Sequence, residues 1–181
     1  MNTYISMLRG INLGSHNKIP MAKLRSLYES LGCVNVQTYI QSGNVVFDSL
    51  ETDRAQLAES IKAKISEVFG YSVPVFIVDA KDLEQVIQSN PFLTQRNEDP
   101  TKLHITFLQH LVSDEVVHHF VGPKSGNDEF IIDKQVVYIF CPDGYGRTKL
   151  TNNLFEQKLK VPATTRNWNT VNALYQMTVE R

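Results

Sequence analysis

Val34-Asn35-Val36-Gln37-Thr38-Tyr39-Ile40-Gln41-Ser42-Gly43-Asn44-Val45-Val46-Phe47 is the stretch whose reading decides the fold. Residues 34–40 alternate apolar and polar, the period of a half-buried strand. Gln41 to Asn44 is a turn in which Gly43 or Asn44 supplies a positive φ, and Val45 to Phe47 returns antiparallel. Before this hairpin lie a short apolar strand, Tyr4 to Leu8, and a loop from Arg9 to Ile19. Pro20 stands at the first position of a helix. Met21, Leu24, Leu27, Tyr28 and Leu31 recur at helical spacing until Gly32 stops it. After the hairpin, Thr52 or Asp53 caps a second helix striped with Leu57, Ala58, Ile61, Ile65, Val68 and Phe69. Gly70 ends it, and Val73 to Val78 is the fourth strand. The order is β-α-β-β-α-β, the ferredoxin-like split arrangement.

The same order recurs downstream. A short helix from Lys81 to Ser89 is closed by Asn90-Pro91, and the polar run from Thr94 to Lys102 reads as a linker. Leu103 to Leu108 is a strand, and Ser113 caps a helix with Asp114 and Glu115 in its first turn and His118 and His119 near its end. A loop spans 122–127. Glu129 to Ile132 and Val136 to Phe140 form a hairpin; a helix follows with Leu154, Phe155 and Leu159; Val161 to Thr165 closes as a strand. A last helix runs from about Asn167, with Trp168, Val171, Leu174 and Tyr175 on one face. The expected fold is α+β, two ferredoxin-like halves in tandem with a C-terminal helix. The expected division is 1–79 for the first subdomain, 80–101 for a helix and linker, and 102–181 for the second subdomain.

A chain of 181 residues affords a real core, and 42% hydrophobic with 20% charged residues is ordinary for a globular protein. Net charge is -1, so no global field points to nucleic acid or a membrane. The distribution is uneven. Residues 1–28 carry Arg9, Lys18, Lys23 and Arg25 and no acid, a net of +4, and residues 144–169 are again +4, which leaves -9 for the rest. Cys33 and Cys141 stand far apart, each at the end of an apolar run, and read as buried free thiols of a reducing, cytoplasmic compartment. The first residues lack the basic and apolar regions of a signal peptide, and no apolar run reaches the roughly 18–20 residues of a membrane span.

Several motifs carry a resemblance: Leu8-Arg9-Gly10-Ile11-Asn12-x-Gly14, Asn17-Lys18-Ile19-Pro20-Met21, Thr38 to Phe47, Asn90-Pro91-Phe92, Gly146-Arg147-Thr148-Lys149-Leu150-Thr151-Asn152, and Val161 to Val171. Together they resemble the family catalogued as domain of unknown function 1697, from the first strand to the last helix. The resemblance implies a mainly bacterial protein of two α/β subdomains whose activity is not established. Ser15 stands where the family pattern implies glycine.

Two basic stretches draw the functional reading. Pro142 to Asn152 is rich in glycine, hydroxyls and cations but lacks the Gly-Lys-Ser/Thr of a phosphate loop. Gly10 and Gly14 are wrongly spaced for a dinucleotide turn. What remains is a loop with Arg147 and Lys149 before a helix whose first amides suit an anion, or else a capped structural loop. Thr164-Thr165-Arg166-Asn167-Trp168-Asn169 is a donor-rich run; Arg166 suits bidentate recognition of phosphate or carboxylate, Asn167 could equally cap the last helix, and Trp168 is most simply a core anchor. His118 and His119 point about 100° apart on a helix, and no Cys or carboxylate stands at ligand spacing, so no metal site is expected. The aromatic signature of an RNA-binding sheet is missing from Val45-Val46-Phe47.

The sequence therefore predicts a site for an anionic, phosphorylated or nucleotide-like small ligand between the halves, drawn from Arg9, Asn12, Lys18, Arg147, Lys149, Arg166, Asn167 and Asn169. A nucleic-acid-binding module and a protein-interaction module are the alternatives. No catalytic pair, cofactor or oligomeric state is legible, and no membrane partner is expected.

Overall fold

A computed structural model describes residues 1–123 and 126–181. The chain forms two compact units, 1–84 with 174–181, and 85–173. In the first, β1 (Asn2–Leu8), α1 (Met21–Ser30), β2 (Val34–Tyr39), β3 (Asn44–Ser49), α2 (Arg54–Phe69) and β4 (Val75–Asp79) follow in order. All pairings are antiparallel, and the sheet order is β2-β3-β1-β4. Alternation along β1 sends Tyr4, Ser6 and Leu8 toward the helices, where Leu24, Leu27, Tyr28, Phe47, Leu57, Ile61 and Ile65 complete a core. Ile5 and Met7 point the other way and are equally buried. Inside the core the Ser6 hydroxyl lies 2.6 Å from the Tyr28 hydroxyl, which satisfies two polar groups that burial would otherwise penalise.

Local chemistry sets the element ends. Asp53, not Thr52, caps α2, accepting from the N–H groups of Ala55 and Gln56 at 2.9 and 3.1 Å. Pro20 sits one position ahead of the first helical residue. At the β2–β3 turn Gly43 takes φ +77, as does Ile40 at +47, while Asn44 does not. Asn44 lies buried instead, donating to Tyr39 O and Ser42 Oγ.

The second unit repeats the pattern with β5 (Leu103–Leu108), α5 (Asp114–His118), β6 (Glu129–Asp133), β7 (Val136–Phe140), α6 (Asn152–Leu159) and β8 (Ala163–Asn167), in sheet order β6-β7-β5-β8. The loop expected at 122–127 contains positions 124 and 125, which lie outside the described residues. A helix from Ala80 to Gln88, α3, carries the chain from the first unit to the second, and α7 (Trp168–Val179) carries it back. The run read as a linker, Thr94 to Lys102, contains one 3-10 turn, Pro100–Lys102, and is preceded by a short helix. Asn90 caps that helix, α4 (Pro91–Thr94), which buries Phe92 against Phe140, with ring centroids 5.7 Å apart. Arg96 lies over both rings and pairs with Glu129 and Glu98. A single aromatic with a stacked arginine thus turns a polar stretch into part of the second unit. No helix among the described residues is long and apolar enough to cross a membrane.

Candidate anion site

The β5 register brings three strand ends together. Leu103 pairs with Phe140 and His104 with Asn167, so the start of β5 and the ends of β7 and β8 share one end of the second sheet. The glycine-rich loop leaves β7 at that end. Gly144 turns it with φ +97, a conformation L side chains rarely adopt, and a single 3-10 turn follows over Tyr145–Arg147. Tyr145 then stacks on His104 at 4.2 Å between centroids and 18° between planes, which folds the loop back against the sheet. Thr151 caps α6 by accepting from Leu154 N–H. Asn167 caps α7 by accepting from Thr170 N–H at 2.8 Å.

A hydroxyl ties these pieces together. Thr165 donates to Asn152 Oδ1 at 2.5 Å and lies 2.7 Å from the Thr106 hydroxyl. Asn152 is the first residue of α6, and Thr165 precedes the α7 cap by two residues, ~7 Å of strand. Two helix N-termini, each with its partial positive charge, therefore open at one corner beside the loop that carries Arg147 and Lys149. Both cations are exposed, as is Asn169 in the first turn of α7. Burial against Tyr145 lowers the His104 pKa, so the ring is neutral at pH 7, and its Nδ1 has no hydrogen-bond partner among the described residues. Burial likewise raises Tyr145.

Of the residues predicted from the sequence, Arg147 and Lys149 lie in the loop that leads into α6, and Asn167 and Asn169 lie at the start of α7. Strand alternation puts Arg166 on the face opposite Thr165 and Asn167, 9% exposed, with its guanidinium donating to Thr164 Oγ1 and Thr165 O at 2.9 Å. Burial lowers its pKa to about 10. Arg9, Asn12 and Lys18 belong to the first unit. Lys18 is exposed and Arg9 half-buried. Asn12 is committed to the backbone: its amide donates to Ile19 O and Gln41 O at 3.0 and 2.8 Å, and its oxygen accepts from Ile19 N–H at 2.8 Å. Tyr145, Asn152 and Thr165 lie within the two polar runs that the sequence singles out but were given no part in the site, and His104 and Thr106 were not named for it. The signal was present, since positions 104 and 106 and positions 165 and 167 are polar at strand spacing on one face. Among the described residues no three His, Cys, Asp or Glu side chains gather as metal ligands.

Architecture defines the class: a mixed α+β protein with two four-stranded antiparallel sheets and covering helices. The chain belongs to the family described as Protein of unknown function (DUF1697), whose model matches residues 1–138. The match ends ahead of the Gly144–Asn152 loop. A solved structure of a conserved bacterial protein from Streptococcus pneumoniae is similar, covering 98% of this chain and 98% of its own, at 25% identity and a TM-score of 0.77. No curated protein matches the sequence.

Proposed function

We propose that this protein is a ligand-binding member of its family, built from two ferredoxin-like units, whose second unit takes a small phosphorylated or nucleotide-like anion at the corner of β5, β8, α6 and α7. One observation carries the reading: the Thr165–Asn152 hydrogen bond ties the first residue of α6 to β8 two residues ahead of the α7 cap, and Arg147 and Lys149 stand in the loop that leads into α6. Helix N-termini present unpaired N–H groups, and a phosphate accepts from several at once. Arg147 and Lys149 supply charge, and Asn169 adds a carboxamide at the same corner. The buried thiols agree with a cytoplasmic site of action.

Thermal unfolding tests this with inorganic phosphate, pyrophosphate, nucleoside mono- and triphosphates and short oligonucleotides, on wild type and on an Arg147→Ala/Lys149→Ala variant. A ligand at a hundredfold its Kd adds about 2.7 kcal/mol, a shift of roughly 5–10 °C for a chain of this size. A phosphate-bearing small molecule should give that shift in wild type and lose most of it in the variant. A response confined to oligonucleotides and abolished by moderate salt favours the nucleic-acid module instead. No response to any of them leaves the protein-interaction reading.

A further inference from the structure

One end of the first unit carries a surface that the anion corner does not use. The registers Leu8↔Val75, Met7↔Asn44 and Tyr39↔Asn44 put the loop after β1, the β2–β3 turn and the approach to β4 at the same end. The start of α1 and the end of α2 lie there too, since both helices connect to these strand ends. Three aliphatic side chains stand out from this end: Leu13 at 66% exposure, Ile40 at 52% and Val68 at 51%. Asn12, hydrogen-bonded to Gln41 O, ties the loop that carries Leu13 to the turn that carries Ile40. Ile40 is also strained. A β-branched residue at φ +47 adopts a conformation that Gly or Asn takes more easily. An exposed aliphatic kept at the cost of backbone strain points to what the side chain meets outside the fold.

Charge says what that is. Arg9, Lys18, Lys23 and Lys64 belong to the loop and helices at this end, and among the described residues Glu67, paired with Lys64, is the acid there. The other end of the same unit carries Asp48, Glu51, Asp53, Asp79 and Asp82, with Asp48 paired to Arg181 and Asp79 and Asp82 to Arg54. We infer that the Leu13–Ile40 end of the first unit docks an acidic amphipathic protein segment, one that presents carboxylates to Lys18 and Lys23 and aliphatic side chains to Leu13 and Ile40. A lipid surface fits less well. Stable membrane attachment draws on an amphipathic helix, an aromatic belt or a run of four to eight basic residues, and these loops display single aliphatics among dispersed cations. Preorganised aliphatics within a cationic rim match the anatomy of a protein interface.

Fluorescence anisotropy tests the inference on the full chain with a labelled synthetic helix bearing leucine at i, i+3, i+4 and i+7 and glutamate elsewhere. The control replaces each glutamate by lysine. The acidic probe should bind, weaken with added salt, and weaken about tenfold or more in a Leu13→Ser/Ile40→Asn variant. That variant should melt no lower than wild type, because asparagine suits the left-handed backbone at position 40. Lys18→Glu/Lys23→Glu should weaken binding as well, whereas Arg147→Ala/Lys149→Ala should leave it unchanged, which separates this surface from the anion corner. No binding of the acidic probe at millimolar protein overturns the inference. So does equal binding by the Leu13→Ser/Ile40→Asn variant or of the lysine control, or binding to phosphatidylglycerol vesicles in place of the peptide.

Discussion

Thr165 donates its hydroxyl to Asn152 across 2.5 Å, and in doing so joins the last strand of the second sheet to the first turn of α6. The same hydroxyl lies 2.7 Å from that of Thr106 on the neighbouring strand, so one side chain links β5, β8 and a helix start. Half-buried and shared among three elements, it fixes the corner where Arg147 and Lys149 emerge.

Thr165→Val keeps the shape of the side chain and removes its bonds. Asn152 Oδ1 and the Thr106 hydroxyl would lose their partner, at a cost of about 1–3 kcal/mol for each group left buried without one. Chemical denaturation should show a loss within that range, with the slope against denaturant unchanged. Any anion response should fall along with it. A variant as stable as wild type would mean that water already serves these groups and that the corner is open.

Gly43 offers a test of the β2–β3 turn. An added Cβ would come within 2.7 Å of both Leu8 Cβ and Ile11 Cδ1, at a residue already at φ +77. Gly43→Ala should therefore cost both a left-handed conformational term of about 1–2 kcal/mol and an overpacking term of about 1–3 kcal/mol. Gly14→Ala, at φ +57 with open space around its Cβ, should cost the first alone. Melting temperatures of the two single variants, at roughly 2–4 °C per kcal/mol, measure the difference.

Periodicity and end signals made most elements legible. The stripe Leu24, Leu27, Tyr28 and the stop at Gly70 are readable because burial and backbone sterics act locally. α4 was not, because a four-residue turn has no period; what orders it is Phe92 meeting Phe140, 48 positions along the chain. The site was half legible for the same reason. Residue type flags Arg166 and Asn12 as ligand donors, but only the face of β8 and the reach of the Asn12 amide to Gln41 show where those groups go. His104 and Tyr145 are 41 positions apart, and nothing local predicts that their rings stack.

Stability should fall below neutral pH through His104. Its pKa in the folded chain lies below the ordinary value of 6.5 because burial disfavours the cation. The unfolded chain then binds the extra proton more readily, so this contribution is complete above about pH 6.5 and is lost as pH falls toward the folded value. The melting temperature of wild type should drop between about pH 7 and 5, and His104→Phe, which retains a ring against Tyr145, should flatten that drop. Glu129 acts further down: hydrogen bonds from Arg96 hold its pKa below 4.5, and the stability they bring is lost as pH falls through the lowered value. Identical profiles for wild type and His104→Phe above pH 5 would mean that the ring is hydrated in the folded protein.

Cys33 and Cys141 give two internal reporters. Burial pushes each thiol up to about 11, so almost none is thiolate at neutral pH, and both side chains are shielded. Labelling by a disulfide reagent should be slow in the native protein and rapid in denaturant, with the native rate set by opening of the surrounding structure. The two sites report different openings. Cys141 stands at the root of the glycine loop, its carbonyl accepting from Gly144 N–H at 3.0 Å, whereas Cys33 follows α1 in the other unit. A ligand that closes the corner between Arg147 and Asn169 should slow Cys141 more than Cys33. Equal slowing of both would show that labelling waits on unfolding of the whole chain. With saturating phosphate and no slowing at either thiol, the corner does not hold that anion.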